Sequence, residues 1–265
     1  MIRDQRRWQR FTPMQRARRA AFYLLAAAAI GQSLRAVDVI PEFLQDMPEQ
    51  VADLFRRMWP LDWGYYGKAV HEALIETFHI ATLGTILAIG LALPVGMLAA
   101  SNLVPWRPLN LLAKLILVSS RSVNSLVWAL LFVAVFGPGA LAGTLAIAFR
   151  SIGFVGKLFG EALESTARGP IEALHAVGAP PASVFLKGYW PQVQPAFWSI
   201  ALFRWDINIR ESAVLGLVGA GGIGMALDTA LTLLYWDQAA VVLLTILAVV
   251  AAAEIAVTAI RSRIL

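Results

Sequence analysis

Residues 161–191 read EALESTARGPIEALHAVGAPPASVFLKGYWP and form a polar island in a chain that is otherwise strongly apolar. Residues 161–164 and 171–177 are helix-forming, and Gly169-Pro170 marks the break between them. Pro170 suits the first turn of the second helix, where no backbone donor is needed. Gly178 stands where a left-handed residue would end that helix. Pro180-Pro181 opens another short element, and Pro191 closes the loop where apolar sequence resumes. The stretch predicts two short helices with a sharp bend, projecting from a hydrophobic body. A long, structured polar loop on such a body is a docking place for a soluble partner.

The body itself is legible in the composition. Of 265 residues, 58% are hydrophobic and 15% charged, and the mean hydropathy is +0.67. Soluble domains carry about 25% charged residues, so this is a polytopic membrane chain with little room for a separate soluble domain. Cysteine is absent, which excludes disulfides and thiol-based metal or redox chemistry. His71, His79 and His175 are scattered and form no ligand cluster. The net charge of +5 does not point to nucleic acid, because much of it is the cluster Arg3, Arg6, Arg7, Arg10, Arg16, Arg18 and Arg19. That cluster directly precedes an apolar run, as the positive flank of a retained first membrane helix does.

A membrane helix needs about 20 mostly apolar residues. Six segments approach this, near 19–37, 74–100, 111–136, 140–159, 193–218 and 238–260; the fourth is the weakest, since Arg150 lies inside it. With the N-terminus inside, the inner loops carry the arginine cluster, Arg107, Arg168, Lys187, Arg261 and Arg263, whereas loop 219–237 has only Asp228 and Asp237. Lysine and arginine placement thus predicts both termini on the cytoplasmic side, with 161–191 facing the cytoplasm. The expected fold is an all-α, polytopic bundle of about six transmembrane helices. Residues 1–73 hold the basic tail, the first helix and an aromatic-rich amphipathic segment (38–73) at the outer face; residues 74–265 are the membrane core.

Two further patterns carry chemistry. Gly219-Ala220-Gly221-Gly222-Ile223-Gly224 satisfies a dinucleotide-binding spacing, but that spacing has meaning only between a strand and a helix. Here Gly219, Gly221, Gly222 and Gly224 follow a membrane helix, so they are expected to serve a tight turn or close packing. The fifth segment holds Arg204, Asp206, Asn208, Arg210 and Glu211. Ionisable groups at membrane depth face a bundle interior or an aqueous cavity. Asp206 and Arg210 are spaced to pair on one face, and Arg121 and Arg150 add positive charge from neighbouring helices. Such a lining suits an anion whose oxygens match the guanidinium fork. A salt-bridge network that fixes helix packing would use the same residues.

The 161–191 stretch resembles the EAA loop of ABC importer permeases: Glu172, Ala173, Gly178 and Pro191 match, while Leu174, Gly188 and Trp190 depart from the usual Ala, Ile and Leu. The flanking stretches, among them TFHIATLGTILAIGLALPVGMLAASN (77–102) and LFRWDINIRESAVLGLVGAGGIG (202–224), resemble the phosphonate-type branch, in which an R-x-(D/E)-x-N-x-R pattern is typical. The resemblance covers roughly residues 70–260. It implies a type I importer fold in a bacterial inner membrane. It also implies a second permease chain, expected to be a copy of this one, and two ATPase subunits that bind ATP and Mg and grip the loop. An extracytoplasmic protein would deliver phosphonate, phosphite or phosphate. No cofactor is expected on this chain, which lacks the phosphate-binding loop of an ATPase and so is not itself an enzyme. Within the resemblance Glu172, Ala173, Gly178 and Pro191 are the coupling residues, while the intramembrane charges themselves make Arg204, Asp206, Asn208, Arg210 and Arg121 the candidates for the pathway lining. The alternatives are a permease for another small solute such as methionine, or a secondary transporter or channel.

Overall fold

A computed structural model describes residues 11–37 and 41–264. Arg3, Arg6, Arg7 and Arg10 of the basic tail, and Asp38, lie outside the described residues. Among the described residues every regular element is helical. The chain divides into two compact units, Met1–Arg56 and Arg57–Leu265.

In the first unit, α1 (Pro13–Ala36) opens with a reciprocal cap. Thr12 Oγ1 accepts the Gln15 N–H at 3.4 Å, and Gln15 Oε1 accepts the Thr12 N–H at 3.1 Å. Sequence predicts a first membrane span here, and the helix forms, but it is not long and apolar enough to count as one. Only 15 residues separate Arg19 from Arg35, a rise of about 22 Å against a hydrocarbon core of about 30 Å. Helix α2 (Pro41–Arg57) is the amphipathic helix expected in 38–73; Phe43, Leu44, Met47, Val51 and Phe55 recur along one face and are exposed.

The second unit is the membrane core. A short helix α3 (Trp63–Tyr65) runs through a π turn into α4 (His71–Ala99). Helices α5 (Arg107–Ser122) and α6 (Ser125–Phe136) follow, then α7 (Ala140–Glu164), α8 (Arg168–Ala176) and α9 (Pro181–Val184). A second π turn leads into α10 (Trp190–Leu215), followed by α11 (Ile223–Thr232) and α12 (Trp236–Ile264). Four stretches are long and apolar enough to cross a membrane: Trp63–Ala99, Ala140–Glu164, Pro181–Thr232 and Trp236–Arg263. A fifth crossing is possible only if α5 and α6 share one, because they meet at 89°. The described count is therefore at most five, against six read from the sequence. The segment predicted as one helix over 111–136 is broken: Val123 is extended, and Asn124 starts α6 by accepting the Leu126 N–H at 3.1 Å.

Helix α7 sits at the centre, packed against α4, α5, α6 and α10. Its approach to α4 is made possible by Gly84, Ala88, Ala92 and Gly96, which recur every fourth residue on one face of α4. A β-carbon at Gly84 would lie 2.8 Å from Ile147 Cγ2, and one at Gly96 would lie 2.8 Å from the Gly156 carbonyl oxygen. On the other side of α7, a β-carbon at Gly153 would lie 2.3 Å from the Leu117 oxygen of α5. Between lipid-like neighbours there is little hydrophobic gain in helix association, so such contact distances supply the cohesion.

These distances predict unequal costs for equal chemical changes. Gly143→Ala puts a methyl 2.2 Å from the Ala220 carbonyl oxygen and should destabilise the core by about 1–3 kcal/mol. Gly90→Ala, with nothing within 4 Å, should leave the melting temperature in detergent unchanged or raised. Equal melting of the two variants would contradict the packing.

Candidate functional site

The break between α5 and α6 leaves Arg121 in the last turn of α5, beside a cleft of about 320 Å³. Arg150 and Phe154 of α7 and Arg204 of α10 also line it. Arg204 is only 3% exposed and is held on three sides. Its Nε donates to Ser151 Oγ at 2.8 Å, its Nη2 meets Glu211 Oε2 at 3.2 Å, and its Cζ lies 5.6 Å from the Phe154 ring centre. The other oxygen of Glu211 takes Arg150 Nε at 3.2 Å. Arg150 also donates from Nη1 to the Val123 carbonyl at 3.4 Å, at the α5–α6 break. One carboxylate thus serves two guanidinium groups.

Behind Arg204 the polar chain continues into the core. Ser151 Oγ donates to Asn208 Oδ1 at 3.2 Å, and Asn208 Nδ2 donates to Thr85 Oγ1 at 2.7 Å. Arg204, Asn208 and Glu211 are spaced i, i+4 and i+7, so helix geometry places them on one face of α10. Arg121 differs from the other two arginines: it is exposed and has no hydrogen bond or ion pair with any described residue. With three arginines and one glutamate the cleft carries +3 − 1 = +2.

Five residues were expected together, and the structure divides them. Arg121 and Arg204 line the cleft, and Asn208 supports Arg204 through Ser151. Asp206 and Arg210 pair with each other one turn apart and do not line it. Position 206 lies about 200° around the helix from position 204, which is why adjacent charges in the sequence separate in space. Ser151 and Thr85 had no distinguishing signal as single residues in apolar helices. Arg150 and Glu211 were visible as charges, but not as partners.

The polar stretch 161–191 is shorter as a loop than the sequence suggests. Residues 161–164 belong to α7, and the chain is helical again from Pro181 onward, so Pro191 sits inside the first turn of α10. The bend falls at residues 165–167, not at Gly169-Pro170; Pro170 lies in the first turn of α8. Gly178 has φ +72° and ends α8 with two bonds: its own N–H to the His175 carbonyl at 3.0 Å, and that of Ala179 to Leu174 at 3.0 Å. Ile171 and Leu174 pack on Gly188, whose added β-carbon would sit 3.2 Å from Leu174 Cδ1. This contact explains a glycine where the resemblance predicts isoleucine. Gln192 ties the bend down, accepting the Ala167 N–H at 2.9 Å and donating to Gly188 at 2.7 Å. The outward face of α8 presents Glu172, Ala173 and Val177, the last 78% exposed.

The glycine-rich turn follows α10. Gly219, Gly221 and Gly222 all have φ between +74° and +83°. Gly224 packs against α10, where a β-carbon would lie 2.1 Å from the Ala213 oxygen. The turn is clamped by the Gly139 N–H to the Gly219 carbonyl at 2.9 Å, and by Thr77 Oγ1, which accepts the Ile223 N–H at 2.7 Å. No strand occurs among the described residues, so the spacing has no nucleotide-binding context.

The described residues thus form a bundle of close-packed membrane helices, with one segment broken beside a cluster of charges centred on the buried Arg204, and a small capped helix α8 between two of the spans. Residues 92–265 match the binding-protein-dependent transport system inner membrane component family, and the chain belongs to it. It is therefore a multi-pass membrane transport subunit. It is 40% identical over 200 residues to the phosphite transport system permease protein PtxC of Stutzerimonas stutzeri, covering 76% of this chain and 72% of that one. It is 38% identical over 226 residues to the phosphate-import permease protein PhnE of Mycolicibacterium smegmatis, covering 85% of this chain but 42% of that longer protein. A solved structure of the MetNI methionine ABC transporter in an inward-facing conformation shares the fold, with a TM-score of 0.64 at 21% identity over 74% of this chain and 96% of that one.

The shared carboxylate predicts a stability asymmetry. Glu211→Gln leaves Arg150 and the buried Arg204 without their counter-charge and should cost about 3 kcal/mol or more. Arg121→Gln removes no bond to a described residue and should stay within about 0.5 kcal/mol of the parent. Thermal unfolding of both variants in the same detergent checks the contrast.

Proposed function

We propose that this chain is the permease subunit of an ATP-driven importer for phosphite, phosphonate or phosphate. The observation that carries the reading is the +2 cleft, in which Arg204 and Arg150 are fixed by Glu211 while Arg121 is left without a described partner. A phosphonate or phosphate brings one to two negative charges and three or more acceptor oxygens. Arg121 supplies donors that no described group has claimed, and the two fixed arginines supply field without collapsing onto the cargo. Both relatives described above carry oxyanions by their names, phosphite and phosphate. A zwitterion such as methionine would also need a free carboxylate for its ammonium group, and both oxygens of Glu211 are already engaged.

Work would enter through α8. ATP and Mg bind to a separate pair of ATPase subunits, a second copy of this chain completes the pathway, and an extracytoplasmic oxyanion-binding protein delivers the cargo. Glu172, Ala173 and Val177 form the face the ATPase grips, Ile171 and Leu174 carry the push into Gly188 and α10, and Gly178 holds the end of α8 in shape. Pro191 serves as a helix-start residue of α10, the lever that also bears Arg204. In this reading α8 and the C-terminus lie together in the cytoplasm, which is supported by Arg261 Nε donating to Ser199 Oγ at 2.7 Å in the α8-proximal half of α10.

Two variants test the parts separately. Arg121→Ala should assemble normally and lower oxyanion uptake about tenfold, the loss of one charge-assisted bond of about 1.4 kcal/mol. Gly178→Asp should reach the membrane at normal levels and abolish uptake, because a left-handed φ and an added charge both disturb the docking end of α8. Normal uptake by Arg121→Ala would remove the cleft from the pathway, and normal uptake by Gly178→Asp would remove α8 from coupling.

A further inference from the structure

A second cleft, of about 260 Å³, adjoins the first: Val118 and Arg121 of α5 line both. Its charged lining is Lys114, Lys157, Glu161 and Glu164, with Arg121 at the shared wall. The two clefts follow one face of α7. Positions 150, 154, 157, 161 and 164 fall within about 40° of a single line along that helix. From Arg150 to Glu161 the rise is about 16 Å, toward the end that carries α8. On α5, Arg121 and Lys114 are two turns apart and run the same way.

The clefts differ in how their charge is balanced. The first carries +2 with Arg121 unclaimed by any described residue. In the second, Lys157 Nζ meets Glu161 Oε1 at 3.3 Å and Lys114 Nζ lies 4.0 Å from Glu164 Oε1, so the two lysines are cancelled by two glutamates and only the shared Arg121 leaves the lining at +1. Glu164 is further engaged by Ser101, whose N–H and Oγ donate to it at 2.8 and 2.7 Å. Glu161 and Lys157 are each about half exposed and, among the described residues, their side chains pair with each other alone. An ion that is to cross must meet enough attraction to enter and too little to stay.

We propose that the second cleft is the release station of the same anion pathway: Arg121 passes the oxyanion from the arginine cleft to a basic wall whose lysines are already neutralised by Glu161 and Glu164, so the anion is not retained. This rests on the oxyanion reading above. The Lys157–Glu161 pair then sets the exit rate by its net charge, and removing the carboxylate alone converts the exit into a trap.

The test uses the complete transporter in proteoliposomes with ATP supplied and labelled phosphite as the probe, with phosphate as a second cargo. Glu161→Gln leaves Lys157 unneutralised; the maximal uptake rate should fall about fivefold while the half-saturating concentration stays level or falls. Lys157→Gln/Glu161→Gln restores neutrality without restoring the pair, and its rate should return to within about twofold of the parent. Assembly and basal ATP hydrolysis are measured alongside. An unchanged rate in Glu161→Gln, or equal slowing in the single and double variants, would overturn the release station while leaving the oxyanion reading intact. A parent transporter that moves neither phosphite nor phosphate would overturn the oxyanion reading itself, and the release station with it.

Discussion

Gly84, Ala88, Ala92 and Gly96 let the backbone of α4 approach α7 closely enough that a single added methyl would collide, and the rest of the core hangs on that approach. Because α7 is in contact on several sides, it has no freedom to shift its polar face. Arg150 and Ser151 are therefore fixed where the α5–α6 break and α10 meet them. The approach also brings Thr85 to Asn208, Asn208 to Ser151, and Ser151 to Arg204, so the packing of small residues and the polar chain determine one another. Dispersion over such short distances replaces the hydrophobic driving force that a bilayer interior does not provide.

Against that rigid pair the broken helix is the exception. Membrane segments interrupt their backbone only where protein or a watery cavity satisfies the freed groups. Here Asn124 caps α6 and Arg150 reaches the Val123 carbonyl, so the same arginine stabilises the break and lines the cleft. A partly buried carboxylate shared by two guanidinium groups, one of them fully buried, is a costly arrangement for stability alone. It makes sense as a scaffold that keeps a positive field in place while leaving Arg121 available. The cleft and α8 are joined structurally by α10, which starts where Gly188 packs on α8 and carries Arg204 near its middle.

Much of this was legible in the residues. Gly178 marked a left-handed cap, and it is one; Gly219 through Gly224 looked like a turn rather than a nucleotide loop, and no strand flanks them among the described residues. What failed did so for physical reasons. The run over 111–136 carries its break in the polar stretch Ser119–Ser125, where Asn124 is a helix-start residue, but a hydropathy reading averages that stretch away and cannot show that α7 satisfies the 89° bend. The run over 19–37 looks long enough until the arginines at both ends are counted. The fifth-helix charges were read as one group because they are close in sequence, whereas helical rotation sends Asp206 and Arg210 away from Arg204. Pairing of Glu211 with Arg150 joins residues 61 positions apart, and a single sequence carries no signal for such a contact.

The central claim is that an oxyanion crosses through the cleft of Arg121, Arg150 and Arg204. A cryo-electron microscopy map of the complete transporter, trapped during ATP turnover with methylphosphonate, tests it most directly. The account predicts density for the anion within hydrogen-bond distance of Arg121 and beside Arg204, with Glu211 still bridging Arg150 and Arg204. Anion density elsewhere along the pathway, with Arg121 instead paired to a carboxylate of the second permease copy, would contradict it.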